Sequence, residues 1–487
     1  MTRRMFTILL TAVVCCLAAV TALAQPKLTD FPIAVGDSSA ISFSGAYDGV
    51  NYLVGIEGST VSENHITAQL VSPSGSLVGS RITVGRTGGA PCVAFDGTNY
   101  LMTWTDDEHG IDNANVYGQF VSVSGSLVGP AFPIVALSGA EHARGITFGD
   151  TTYLLVYHVN DILFGQRLSK AGNLIGGEVQ ISSTTARDPG IAFDGINFLA
   201  AWCDEGNGRD IYGQFISPSG VLVGTNFLID GGPYRSDNPV SLAFDGLRYL
   251  VAFHDQANNI DSTGWNLLGC FVTTAGVVED KFTICDSTKN PQFPMIAFDG
   301  ASYLIAWDNY TTAYDTGYCA GRFFNTTGSP LDTTFTIFIP SGDNLPFYGG
   351  LIYGGNQFLS FNNSIDAAFT ISYVYGAFIP KYTGVAGNPV DPVNVSSFKL
   401  GQNAPNPINQ STMINYQLTK PGLVNLTVYN TAGQLVKTLV NAYRQPGSYT
   451  VNWNCTGNDS RKVANGVYMA RMESEGRAVT NKMVVVR

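Results

Sequence analysis

Short apolar runs, each entered from a glycine turn, recur along most of the chain. The stretches Phe198-Leu199-Ala200-Ala201-Trp202 and Tyr249-Leu250-Val251-Ala252-Phe253 are unbroken by polar residues. Runs this short with no alternation are the pattern of strands buried on both faces. Each follows the phrase Phe-Asp-Gly or a close variant, anchored at Asp48, Asp96, Gly149, Asp194, Asp245, Asp299 and Gly354, with spacings of 48, 53, 45, 51, 54 and 55 residues. A repeat of that length made of short strands is the signature of a propeller blade. Every unit divides into four strands. Strand A leads into the anchor, whose Asp-Gly pair makes a tight hairpin because glycine reaches positive φ without a Cβ clash. Strand B is the apolar run. Strand C carries Tyr-Gly-Gln-Phe, as at 117–120 and 212–215, and strand D is the outer edge, as at 132–135 and 227–229.

After the seventh anchor, strand C is present at 374–380 but no strand D follows it. The matching segment lies near the other end, at 31–35. The pattern therefore predicts an all-β, seven-bladed β-propeller over 25–382, closed by an N-terminal strand that spares the first and last blades an open edge.

The composition suits an extracellular all-β protein. Only 13% of residues are charged, while Gly numbers 54 and aromatics reach 11%. Residues 1–24 read as a signal peptide, with Arg3 and Arg4 in the charged region, an apolar stretch over 6–20, and Ala22-Leu23-Ala24 before the cleavage point. The arginine pair also fits a twin-arginine leader. No later segment is apolar enough to be a transmembrane segment. Of the cysteines beyond the leader, none has zinc-ligand spacing, and Cys270 and Cys285 are placed to face each other across one hairpin.

Charge divides the chain again. Residues 25–394 hold 14 Lys/Arg against 34 Asp/Glu, a net charge of −20, whereas 395–487 hold 10 against 3, a net charge of +7. The acidic part is unsuited to nucleic acid. The Gly/Pro/Val stretch over 383–397 reads as a linker, and 398–487 alternates apolar and polar residues as a small β-sandwich does. Within it stand Gln402-Asn403-Ala404-Pro405-Asn406-Pro407, Thr412-Met413-Ile414-Asn415-Tyr416, Val428-Tyr429-Asn430-Thr431-Ala432-Gly433-Gln434, Gly447-Ser448-Tyr449 and Gly466-Val467-Tyr468-Met469-Ala470-Arg471. In these motifs the chain resembles the C-terminal sorting domain of the bacterial type IX secretion system. Ala404 and Ile408 stand where that family more often has aromatics. The resemblance implies an Ig-like fold, outer-membrane secretion machinery as a partner, and a secreted or outer-membrane surface location.

Candidate chemistry gathers where the long B–C loops emerge, opposite the tight A–B turns. All five histidines align there: His65, His109, His142, His158 and His254, with Asp106, Asp107, Glu108, Asp112 and Asp161 beside them. His65, His109, His142 and His158 are the candidate ligands for a divalent cation, or acid and base groups. An Asp also recurs after strand B, at Asp106, Asp204, Asp255 and Asp308. It can shape its loop by accepting backbone N–H bonds, or join a second carboxylate to hold Ca²⁺. Aromatic residues crowd the same face in the later units: Tyr234, Trp265, Phe293, Tyr310, Tyr314, Tyr318, Phe347 and Tyr348. Trp265, Tyr310, Tyr314 and Tyr234, with Asp255 and Asp308, form the candidate ligand site, since rings beside carboxylates stack on and bond to sugars. Trp104, Trp202 and Trp307 end strand B and read as core between blades. No nucleophile elbow, phosphate loop or His-Glu-x-x-His signature occurs. The expected function is a non-catalytic binding protein for a glycan or extracellular protein. The competing reading is a metal-assisted polysaccharide lyase or hydrolase using the histidines.

Overall fold

The computed structural model describes residues 28, 30–383 and 398–486. It leaves aside 35–38, 60–63, 86, 109–113, 136–140, 232–235, 256–264, 287–289, 311–316, 341–344, 347–348 and 366–371, and, further on, 401–402, 404–405, 419–421, 431–433, 445–446, 460 and 475–476. The signal-peptide and linker assignments, with His109, Asp112, Tyr234, Tyr314, Phe347 and Tyr348, lie outside the described residues. The chain divides into two compact units, Met1–Tyr382 and Thr383–Arg487. No helix among the described residues is long and apolar enough to cross a membrane.

The first unit is a β-propeller. Its described residues form seven antiparallel sheets; in six of them four consecutive strands pair in chain order, as in Gly89–Phe95, Asn99–Asp106, Asn115–Ser122 and Leu127–Val135. Innermost strands of successive sheets touch in a cycle, and that of the last sheet, Gly350–Gly354, packs on that of the first, Ser39–Tyr47. Between the sheets lies the core, where Trp104, Trp202 and Trp307 are fully buried, as their place in strand B led us to expect.

The recurring residues are consumed in building this ring. At each Asp-Gly anchor the aspartate accepts two backbone N–H bonds; for Asp96 these come from Thr98 (2.7 Å) and Asn99 (2.8 Å), and for Asp245 from Leu247 and Arg248 (both 2.8 Å). The following glycine has φ near +90°, as at Gly97 (89°) and Gly246 (94°), a conformation only glycine adopts without strain. The tyrosine that opens strand B reaches the previous anchor: Tyr100 Oη donates to Asn51 O (3.0 Å) and Tyr249 Oη to Asn197 O (3.1 Å). The glutamine of strand C fastens the edge strand where its register slips, Gln119 Nε2 donating to Phe120 O (2.9 Å) and Val128 O (3.2 Å). The glycine before it makes room for a phenylalanine. A Cβ on Gly213 would lie 2.8 Å from the Phe227 ring, and one on Gly376 would lie 2.5 Å from the Phe31 ring.

That last contact identifies the clasp. Asp30–Ala34 pairs with Ser372–Pro380 with Phe31 opposite Gly376, the same pairing that sets Phe132 opposite Gly118 and Phe227 opposite Gly213. Phe31 stacks on Phe378 at 5.5 Å, as Phe132 stacks on Phe120 at 5.7 Å. The N-terminal strand is thus strand D of the last sheet. One local expectation fails. Cys285 lies opposite Leu267, while Cys270 pairs with Val251 on the other side, so the two thiols do not face each other. Three positions along the strand, from Leu267 to Cys270, separate them.

The second unit is an Ig-like sandwich. One sheet holds Phe398–Leu400, Thr412–Leu418 and Gly447–Trp453; the other holds Leu435–Arg444, Gly422–Asn430, Gly466–Ser474 and Arg477–Val485. Alternation sends Val424, Leu426 and Val428 inward against Trp453, Met472 and Met483. Ile408 is buried in this core and bridges to Val485, so it packs although it is not aromatic.

Candidate functional site

Strand A of each sheet begins where strand B ends: Gly89 pairs with Thr105, Ala186 with Asp204 and Pro291 with Asn309. The first residues of the seven A strands therefore ring the channel on the B–C loop face. There the strands are irregular. Register shifts break the A–B pairing between Gly89 and Cys92, Arg187 and Gly190, and Gln292 and Met295, and Ala90, Asp188 and Phe293 take positive φ of 52°, 35° and 55°. A bulge of this kind releases a residue from the ladder and re-aims its side chain. The bulges open a cavity of about 510 Å³ whose wall takes residues from several sheets: Glu57, Arg144, Asp188 and Ser241 are polar, and Pro91, Pro189, Phe293, Pro294, Met295 and Leu351 are apolar.

Arg144 is held from behind. Its Nε donates to His158 Nδ1 at 3.2 Å, and its Nη1 lies 3.6 Å from Asp188 Oδ1, an ion pair longer than a hydrogen bond. To accept that bond His158 must be neutral. Burial first, then Arg144, Arg187 and His142, pushes its pKa down to about 3. Burial raises the Asp188 carboxyl above its usual range, against the pull of Arg144 and Arg187. Burial raises Glu57 too, although Glu57 Oε2 accepts from Ala90 N at 2.9 Å.

The candidate residues named from the sequence fall into separate places. His142 stands directly opposite His158 across one sheet, while His65 lies opposite Gly58 in the first sheet. Among the described residues no three His, Cys, Asp or Glu side chains are grouped to hold a metal. Two of the recurrent aspartates shape their loops: Asp106 Oδ1 accepts from Thr87 Oγ1 (3.1 Å) and Glu108 N (3.0 Å), and Asp204 accepts from Thr184 Oγ1 (2.5 Å) and Gly206 N (2.9 Å). Asp308 is 2% exposed and lies opposite Cys319 inside its sheet. Asp255 is also buried, its carboxyl raised to about 6 by burial and then by Asp230, against Lys281. Both carboxylates sit in the sheet rather than on the loop surface.

Of the described aromatic candidates, Trp265, Phe293 and Tyr310 cluster with His254 beside the cavity, while Tyr318 packs on the core of Tyr303 and Trp307. His254 lies 4.7 Å from Trp265 and 6.4 Å from Phe293, and Phe293 meets Tyr310 edge-on at 6.2 Å. Tyr310 is not an exposed ring: it is 5% exposed and its hydroxyl donates to Pro346 O at 2.8 Å. Trp265 is half-buried, and of this cluster Phe293 alone lines the cavity. Glu57, Arg144 and Asp188 were not among the sequence candidates. A signal for Arg144 existed: five residues before the anchor, three of the other six units have a proline (Pro91, Pro189 and Pro294), the rest have Phe43, Val240 and Gly349, and the third alone has a charged residue, Arg144.

Comparison with known proteins agrees with the fold of the C-terminal unit. Residues 407–477 match the FlgD Ig-like domain family, so the C-terminal unit carries a FlgD-type Ig-like domain. No curated protein matches the sequence. Among solved structures, hydrazine synthase of Kuenenia stuttgartiensis is similar at 13% identity, over 70% of this chain and 96% of that one, with a TM-score of 0.47. The β-propeller domain of the Trilobed protease from Pyrococcus furiosus is similar at 9% identity, over 70% of this chain and 95% of that one, with a TM-score of 0.43. Similarity at this level concerns the shape of the chain and not its activity.

Proposed function

We propose that this is a secreted or cell-surface binding protein whose propeller takes a glycan or an extracellular protein on its B–C loop face, and whose C-terminal domain directs type IX secretion. One observation carries the first part: the Asp-Gly turns, the strand-B tyrosines and the strand-C glutamines are spent on turns, edges and joints, whereas Glu57, Arg144, Asp188 and Phe293, which differ between units, meet at a cavity of about 510 Å³. Pockets of roughly 300–1,000 Å³ with apolar walls and a few convergent polar groups are the usual form of a small-ligand site. The five ordered motifs of the last ninety or so residues support the second part, on the Ig-like core described above.

Binding is tested with the full mature chain on a glycan array and against surface-protein extracts, alongside Trp265→Ala and Phe293→Ala. Retention of a bound partner at full strength by both variants refutes this face as the binding site. Secretion is tested by deleting residues 395–487. The truncated protein should collect in the periplasm, and undiminished export would leave the domain an accessory module.

A further inference from the structure

We infer that the channel mouth binds the terminal ring of an uncharged sugar, with Arg144 and Asp188 gripping neighbouring hydroxyls and Phe293 covering a face of the ring. This rests on the binding reading above and chooses between its two partner classes.

The donor and acceptor inventory points to hydroxyls. With Nε committed to His158 and no other hydrogen bond among the described residues, the terminal nitrogens of Arg144 keep their N–H groups for the cavity. Asp188 offers acceptor oxygens 3.6 Å from one of them. A donor fork beside an acceptor suits vicinal hydroxyls, because each hydroxyl accepts one bond and donates another. A ligand carboxylate would match the fork but be repelled by Asp188, and an ammonium would match Asp188 but meet Arg144. An uncharged polyol satisfies both groups.

The rest of the wall fits the same guest. Glu57 adds an acceptor, and Ser241 lines the wall. Phe293, Met295 and Leu351 supply apolar surface for the C–H face of a pyranose. Asp188 and Glu57 are raised by burial, so hydrogen bonds from hydroxyls would replace the water they have lost. His158 acts as a positioning residue, fixing the guanidinium plane from outside the cavity.

The test uses the full mature chain and titration calorimetry with neutral gluco- and galacto-oligosaccharides, their uronic-acid counterparts, and a basic peptide. Neutral sugars should bind, and Arg144→Gln and the isosteric Asp188→Asn should each weaken them by about tenfold or more, the loss expected for a charge-assisted bond. His158→Gln, which keeps an acceptor, should retain affinity that His158→Phe loses at an unchanged melting temperature. Should either charge variant unfold, saturation transfer from the wild-type protein to the ring protons of the neutral sugar provides the readout. Binding of uronic acids or the peptide alone overturns the inference, as does neutral-sugar binding indifferent to Arg144 and Asp188. If that indifferent binding falls with Trp265→Ala, the sugar lies outside the channel and the broader binding reading stands.

Discussion

His254 ends strand B of the fifth sheet, 4% exposed, packed between Trp265 and Phe293. Neither ring nitrogen has a hydrogen-bond partner among the described residues. Burial alone pushes its pKa from 6.5 down to about 3. The unfolded chain takes up a proton at this position near pH 6.5, and the folded chain does not until about pH 3. Stability from the neutral ring is therefore complete above 6.5 and drains away as pH falls toward 3. At about 1.36 kcal/mol per unit, the roughly 1.5 units between 6.5 and pH 5 amount to about 2 kcal/mol. Asp255 and Asp332 oppose it, because burial raises both to about 6 and protonation below that pH favours the folded state. Wild-type acid sensitivity alone would thus be blunted, and the difference from a variant isolates the histidine. His254→Phe should be at least as stable as wild type at pH 7.5, since it removes two buried polar atoms left unbonded. Its advantage should widen by about 2 kcal/mol at pH 5. Urea denaturation followed by far-UV circular dichroism at both pH values measures this gap. A gap unchanged between the two would show that His254 titrates normally in the folded protein, and that its burial is not what the packing indicates.

The clasp and the joints between sheets offer further tests. Ile33 is 2% exposed in the clasp strand and packs in the cluster of Val54, Leu359 and Val374. Ile33→Ala should cost about 3 kcal/mol and speed hydrogen exchange in Ser372–Pro380 before other sheets, as mass spectrometry can follow. Tyr249→Phe removes the bond to Asn197 O, which keeps Asp194 N as a donor. The expected loss is about 1 kcal/mol by chemical denaturation, and a loss of several would mean the hydroxyl does more than join two sheets.

The repeat was legible because the blade demands the same residues at the same places. A turn that needs positive φ calls for Gly97, and a strand crossing that admits no Cβ calls for Gly118 or Gly376. Even the clasp could be found, because Phe31 obeys the rule that Phe132 obeys. The cavity was not legible for the opposite reason. Glu57, Arg144 and Asp188 come from different units, and the ladder slips at Arg144 and Asp188, so the strand period does not place these two. Tyr310 and Asp308 misled because a residue near a loop in sequence can still point into the sheet, as their burial shows. Departure from a repeat is the more useful signal: Arg144, replacing a recurrent proline, marks the place where structure gives way to recognition.

The last sheet also sets the order in which the molecule can become whole. Ser42 N bonds Asn363 Oδ1 across 321 positions of sequence, and Tyr52 Oη bonds Gly354 O across 302. Every other sheet of the ring is made from neighbouring segments and can form as the chain emerges. The seam must wait for its final strand, so an incomplete chain is an arc with two sticky ends, open to pairing with another arc. Closing a loop that long costs conformational entropy, but the cost grows only with the logarithm of length and falls once the intervening sheets have stacked into a curve. Assembly would therefore proceed as a fast march of sheets followed by one slow latching step. A circular permutant of residues 30–382, with those two ends joined and new ends opened between strand D of one sheet and strand A of the next, would make the clasp pairing a local hairpin, and should refold with less aggregation than the same residues in natural order.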